Sequence, residues 1–214
     1  MRRASVLASV QGTHPWTSGG SRVVGARTLT TSAGAGSADR WKKNFKKVVP
    51  EGDSKERAVC QECGFINYHN PKIVAGVVAL SSTGKVLLCK RAIEPKTGYW
   101  TLPAGYMEVG ETVQAGAARE AREEANATVE AGSLLTMYDV PRIGQVHMYY
   151  RAKLLSDEVS AGEETLDVAL VDLDEIPWDQ LAFPTVRHTL EFFLKTGRHS
   201  ADAIDFKSIT EQLI

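Results

Sequence analysis

The sequence predicts an α/β fold, an α/β/α sandwich on a mixed sheet, preceded by a short ribbon-like segment. Three stretches predict it. "IVAGVVAL" (73–80) is β-branched and apolar throughout, as a strand covered on both faces should be. "ETVQAGAAREAREEA" (111–125) has helical periodicity, and Ala117, Ala118, Ala121 and Ala125 form a face of small side chains that lets a helix sit close to a sheet. "FPTVRHTLEFFLKT" (183–196) places Val186, Leu190 and Phe193 at helical spacing and reads as a closing helix.

The intervening elements follow in order. "SSTG" turns the first strand into "KVLLCKR" (85–91), its expected hairpin partner. "YWTLPAG" (99–105) reads as one short strand closed by Pro103 and Gly105. "TVEAGSLLTMYDV" (128–140) and "QVHMYYRAKLL" (145–155) are strands around the Pro141–Gly144 turn. In the second, Val146, Met148, Tyr150 and Ala152 alternate with His147, Tyr149 and Arg151, which predicts one buried face. "TLDVALVDLDEI" (165–176) is a further strand. The expected organisation is a leader over 1–38, a ribbon segment over 39–72, the main domain over 73–198 and an uninformative tail over 199–214.

Composition bounds the function. Apolar residues make up 43% and charged residues 24% of the 214, both globular values. No apolar run is long enough to cross a bilayer, so no membrane partner is expected. Residues 1–38 hold four arginines, eleven Ser or Thr and no acid, the composition of an organelle transit peptide, mitochondrial ahead of plastid. Without those arginines the remainder carries −5, which argues against a nucleic-acid surface. Three cysteines, Cys60, Cys63 and Cys89, are too few for a disulfide framework.

The chemistry lies in the first helix. Glu120, Glu123 and Glu124 fall within about a 100° arc of it, and such a cluster repels itself. Arg119 and Arg122 relieve part of that repulsion; a hard divalent cation would relieve more. From Gly105 the segment reads Gly, five residues, Glu111, seven residues, then Arg119-Glu120-Ala121-Arg122-Glu123-Glu124. This resembles the Nudix hydrolase signature, and every charged position matches. Asn126 stands where that family usually has glycine; both residues tolerate the left-handed conformation that ends a helix.

The resemblance implies hydrolysis of a nucleoside diphosphate linked to another moiety, with Mg²⁺ or Mn²⁺ as cofactor. It implies metal ligation by Glu120, Glu123, Glu124 and the carbonyl near Gly105, with Arg119 orienting those carboxylates. Glu111 would act through water or hold the loop before the helix. In several relatives the general base lies on a later loop, and here "AGEET" offers Glu163 and Glu164. A wider likeness over roughly 50–195 points to the ribbon-bearing branch, whose members hydrolyse FAD and ADP-ribose and are often homodimers. The alternatives are another dinucleotide or nucleoside diphosphate sugar, NADH included, and a nucleotide-sensing module without catalysis.

Cys60-x-x-Cys63-Gly is one zinc knuckle, whereas a structural zinc site needs four ligands. His69 is a third candidate and no fourth is evident, so we expect a vestigial ribbon that keeps the turn without metal. Tyr99, Trp100 and Tyr138 are weighed for stacking on a base or flavin against plain core roles. Arg142 and Gln145, which flank the turn after Pro141, are candidates for reaching substrate. His147 and His188 are read as structural and Cys89 as an inert core thiol.

Overall fold

The computed structural model describes residues 44–197 and 203–210; the expected transit peptide lies outside them. The chain divides into two units between Asn67 and Tyr68. The boundary expected from the sequence, 72/73, falls five residues later.

In the first unit, β1 (Phe45–Val48), β2 (Arg57–Cys60) and β3 (Ile66–Asn67) form an antiparallel sheet in the order β1-β2-β3. None of its described residues is fully buried, so apolar burial contributes little here. The Cys60–Gly64 knuckle is closed by its own backbone, with Gly64 N–H on the Cys60 carbonyl at 3.0 Å and Cys60 N–H on the Phe65 carbonyl at 2.8 Å.

The second unit is built on one mixed sheet. Its strands are β4 (Lys72–Leu80), β5 (Val86–Arg91), β6 (Trp100–Thr101), β7 (Ala104–Tyr106), β8 (Val129–Val140), β9 (Gln145–Leu154), β10 (Thr165–Val171) and β11 (Asp205–Ser208). The order is β10-β5-β4-β9-β8-β11, with β6 on β5 and β7 on β4. The β4–β9 and β8–β11 pairs are parallel and the others antiparallel.

Two helices cover the sheet. Helix α1 (Val113–Ala125) lays Ala117, Ala121 and Ala125 against Ala75, Val77 and Ala79 of β4, where small side chains on both sides permit close approach. Helix α2 (Pro184–Thr196) buries Val186, Leu190 and Phe193 with Val78, Leu88 and Tyr149 on the other face. This is the expected sandwich. No helix among the described residues is long and apolar enough to cross a membrane.

Three expectations are corrected. Strand β9 is covered on both faces, because Tyr150 and Ala152 join the α1 side while Tyr149 joins the α2 side. The expected β4–β5 hairpin forms, pairing at Leu80↔Val86, and β7 takes up the β4 edge farther along at Val74–Gly76. "YWTLPAG" is broken into β6 and the start of β7 around Leu102-Pro103; proline brings no N–H to a ladder. The strand begun at Thr165 stops at Val171, and the tail, unread in the sequence, adds β11 beside β8.

Candidate active site

Thr112 starts α1 as its N-cap, its Oγ1 accepting from Ala115 N–H at 3.1 Å. From there the helix runs beneath the β7 strand and presents its acidic face to Gly105. A Cβ at Gly105 would overlap the Glu120 carboxylate, so only glycine lets that carboxylate lie against the strand.

Arg119 is the hub. Its Nε donates to Glu111 Oε2 at 3.1 Å and its Nη2 to Glu111 Oε1 at 2.9 Å and the Tyr106 carbonyl at 2.9 Å. Its Nη1 donates to Glu120 Oε1 and Glu123 Oε2, each at 2.8 Å. A guanidinium has five N–H groups, and these bonds use all of them. Glu111 also accepts from Glu108 N–H at 2.7 Å, and Arg119 first, then this bond, holds its carboxyl below the usual carboxylate range. Glu111 therefore fastens the preceding loop to the helix, and it is not among the residues that line the cavity.

Glu124 is different. It sits on the buried side of the helix, its Oε2 accepting one bond, from Ala104 N–H at 3.2 Å. Burial pushes its pKa up to about 8, and Glu120 and Glu164 push the same way. Burial raises Glu120 as well, against the pull of Arg119.

These groups line a cavity of about 820 Å³ together with Arg91, Ile93, Gln145, His147, Phe183 and the loop residues Glu163 and Glu164. Seven carboxylates (94, 108, 120, 123, 124, 163 and 164) face two guanidiniums there. Hard oxygen donors of this kind suit Mg²⁺ or Mn²⁺. Among the described residues, however, no three acidic, His or Cys side chains converge tightly enough to enclose an ion. The reason is visible: Arg119 draws Glu120 and Glu123 to itself, while Glu124 turns to the β7 backbone. Arg119 takes one oxygen of each carboxylate, Glu120 Oε1 and Glu123 Oε2, so the donor set fits the ion in kind, with the second oxygen of each as the ligand.

A family description, NUDIX domain, matches residues 70–192, and a zinc-ribbon family described as Nudix N-terminal matches residues 43–69. The chain belongs to the Nudix family. It is an enzyme, a Nudix diphosphatase acting on phosphoric anhydrides. A solved Nudix hydrolase from Nitrosomonas europaea is 44% identical with a TM-score of 0.73, over 77% of this chain and 93% of that one. An ADP-ribose pyrophosphatase from Methanocaldococcus jannaschii is 29% identical over 66% of this chain and 80% of its own. The NAD-capped RNA hydrolase NudC of Stutzerimonas stutzeri is 28% identical over 65% of this chain, which spans only 50% of that relative.

Within this Nudix site the sequence candidates sort clearly. Glu120, Glu123, Glu124, Arg119, Gly105, Gln145, Glu163 and Glu164 all line the cavity. Tyr99 and Arg142 do not; both are exposed, Tyr99 just before β6 and Arg142 in the short 3-10 helix Pro141–Ile143. Trp100 packs on the α2 side of the core, and Tyr138 is buried with its hydroxyl donating to Asp205 at 3.0 Å. His188 stands edge-on to Tyr138, away from the cavity. Cys89 is buried in the core, where desolvation raises its thiol well above the ordinary value.

His147, read as structural, is on the cavity wall. Gln145 Nε2 donates to the Tyr106 hydroxyl at 2.8 Å and its Oε1 lies 2.8 Å from His147 Nε2, so that nitrogen carries the proton. Nδ1 then accepts from Thr185 Oγ1 at 3.2 Å. Burial lowers the imidazole to about 4, which keeps it neutral at physiological pH.

Arg91 and Phe183 went unread in the sequence. The Arg91 guanidinium bonds to the Pro95 carbonyl at 2.8 Å through Nε and lies 5.0 Å from the Phe183 ring centroid. Its position at the end of β5, just before a loop, was the available signal.

Proposed function

We propose that this enzyme hydrolyses the diphosphate of ADP-ribose and of related dinucleotides, FAD among them, with Mg²⁺ or Mn²⁺ held by Glu120, Glu123, Glu124 and the backbone near Gly105. One observation carries this reading: a cavity with seven carboxylates and two guanidiniums repels a pyrophosphate unless a cation offsets the charge. An archaeal relative named ADP-ribose pyrophosphatase, matched over most of its length, supports ADP-ribose as the first substrate to test.

The bound cation would neutralise phosphate charge and lower the pKa of water. The protein side does the rest. Arg119 keeps Glu120 and Glu123 on one helix face and ties that face to the Tyr106 backbone. Arg91, with Phe183 behind it, offers its guanidinium to a phosphate of the substrate. Glu164, or its neighbour Glu163, accepts the proton of the attacking water. Water oxygen bonds to phosphorus as the bridging P–O bond breaks, giving AMP with ribose 5-phosphate, or AMP with FMN.

The test is AMP release from ADP-ribose, FAD and NADH, with Mg²⁺ or Mn²⁺, by the wild type and a Glu123→Gln, Glu124→Gln variant. Turnover by the wild type only is expected; equal turnover by both defeats the assigned roles. The acid-free residues 1–38 support an organellar enzyme, mitochondrial ahead of plastid, and cleavage of the full chain on import into isolated mitochondria tests this. Light scattering tests the homodimer that the family resemblance implies.

A further inference from the structure

The Nudix box of this chain ends on Asn126, at φ 48°, where glycine would serve the backbone equally well. The asparagine side chain adds something glycine lacks. Its Nδ2 lies 3.1 Å from Ser160 Oγ, 3.2 Å from the Ser160 carbonyl and 3.3 Å from the Ala161 carbonyl. The same loop meets the helix end through its backbone, with Ser160 N–H on the Ala125 carbonyl and Gly162 N–H on the Glu124 carbonyl, both at 3.0 Å. The last carbonyls of a helix have no partner of their own, and the loop supplies two. The approach is so close that a Cβ at Gly162 would overlap the Glu123 carbonyl. At its far end the loop is fixed to β5's continuation by Ala92 N–H on the Glu164 carbonyl at 2.9 Å. Between these anchors stand Glu163 and Glu164, both facing the cavity.

We propose that Asn126 is a positioning residue: its amide fastens the 160–164 loop to the end of α1 and thereby sets where Glu163 and Glu164 stand relative to Glu123 and Glu124. This rests on the diphosphatase reading, in which those loop carboxylates serve the attacking water. The box residue that caps the helix thus also joins its two acidic halves. A misplacement of about 1 Å in such a group can cost on the order of a hundredfold in rate.

Two variants of the full-length protein separate the side chain from the backbone. Asn126→Gly keeps the left-handed cap and removes the amide. Asn126→Asp also tolerates that conformation but turns a carboxylate, which cannot donate, toward the Ser160 and Ala161 carbonyl oxygens, leaving the Ser160 hydroxyl as its one possible partner in this set. For both we expect kcat on the best substrate to fall about tenfold or more, with KM and Mn²⁺ affinity within about twofold of wild type. Thermal midpoints should stay close to wild type. The Ser160 and Gly162 amides should exchange hydrogen faster in both variants. Unchanged exchange overturns the tether, and faster exchange with unchanged kcat overturns the positioning role. A wild type that releases no AMP from any substrate refutes the diphosphatase reading instead, while exchange still reports on the tether.

Discussion

Glu111 grips Arg119 at two points, Oε1 to Nη2 at 2.9 Å and Oε2 to Nε at 3.1 Å, across eight residues of sequence. That grip leaves Nη1 aimed at Glu120 and Glu123. Lysine keeps the charge but has no planar fork, so it cannot hold Glu111 by two parallel bonds and still reach both other carboxylates. Arg119→Lys should therefore lower kcat by about a hundredfold while the fold persists, because the helix carboxylates lose their fixed directions. Steady-state kinetics with saturating Mg²⁺ beside a thermal melt check this. A lysine variant with wild-type kcat would show that the bidentate geometry is dispensable.

Glu124 makes the metal-free protein pH-sensitive. Its folded pKa, about 8, lies above the ordinary 4.5, so between those values the folded state binds more protons than the unfolded chain. Stability therefore falls as pH rises through that window, with a slope of at most about 1.4 kcal/mol per pH step of one. His147 acts in the opposite direction at lower pH. Its depressed value, about 4, means the unfolded chain takes the proton first, so that stability is lost as pH falls below about 6.5. The two effects separate above pH 6.5, where only the carboxylate still counts. With chelator present, the melting midpoint should drop between pH 6.5 and 8.5, and Glu124→Gln should flatten the slope. An identical slope in the variant would place the buried proton elsewhere.

The same physics removes His147 from the chemistry. A neutral imidazole held between Gln145 and Thr185, its pKa lowered to about 4, does not change protonation state near pH 7. The pH–rate profile should therefore lack a limb near 6.5 that His147→Gln abolishes. Finding such a limb would mean the imidazole titrates in the working enzyme.

How far the site was legible follows from where its signals lie. Glu111, Arg119, Glu120, Glu123 and Glu124 sit within one loop and one helix, so their spacing alone places them together. Asn126 is legible as a cap because backbone conformation is a local property, but its bonds to Ser160 and Ala161 span 34 and 35 residues and leave no local trace. Arg91 and Phe183 meet across 92 positions for the same reason, whereas Tyr99 and Arg142 are conspicuous exposed side chains that are not among the residues lining the cavity. Strand β11 is four residues of mixed polarity at a sheet edge, and only its parallel pairing with β8 makes it a strand. The double burial of β9 likewise depends on two helices that the strand's own alternation does not report.

Arg91 should carry affinity rather than turnover. Two of its donors are spent on the Pro95 and Ile93 carbonyls, which shape the loop, and the guanidinium still lines the cavity beside Phe183. Charge-assisted bonds to phosphate are worth about 1.5–3 kcal/mol, a factor of ten or more in binding. Arg91→Ala should raise KM by at least about tenfold with a smaller change in kcat. A fall in kcat alone would assign Arg91 to the transition state and not to substrate capture.

The cysteines differ in ways a thiol reagent can read. Cys60 and Cys63 lie at the accessible knuckle, and the Cys60 thiol is lowered chiefly by the backbone N–H of Cys63 and then by that of Glu62. A lowered, reachable thiol supplies more thiolate and reacts sooner, whereas Cys89 is buried and raised. Maleimide labelling at pH 7 should modify Cys60 and Cys63 well before Cys89. Two thiolates fall short of the four ligands a structural zinc requires, so each chain should retain less than one zinc after purification. Cys60→Ser, Cys63→Ser should leave kcat unchanged. Stoichiometric zinc that protects both thiols from the reagent would show that the knuckle finds further ligands beyond these two cysteines.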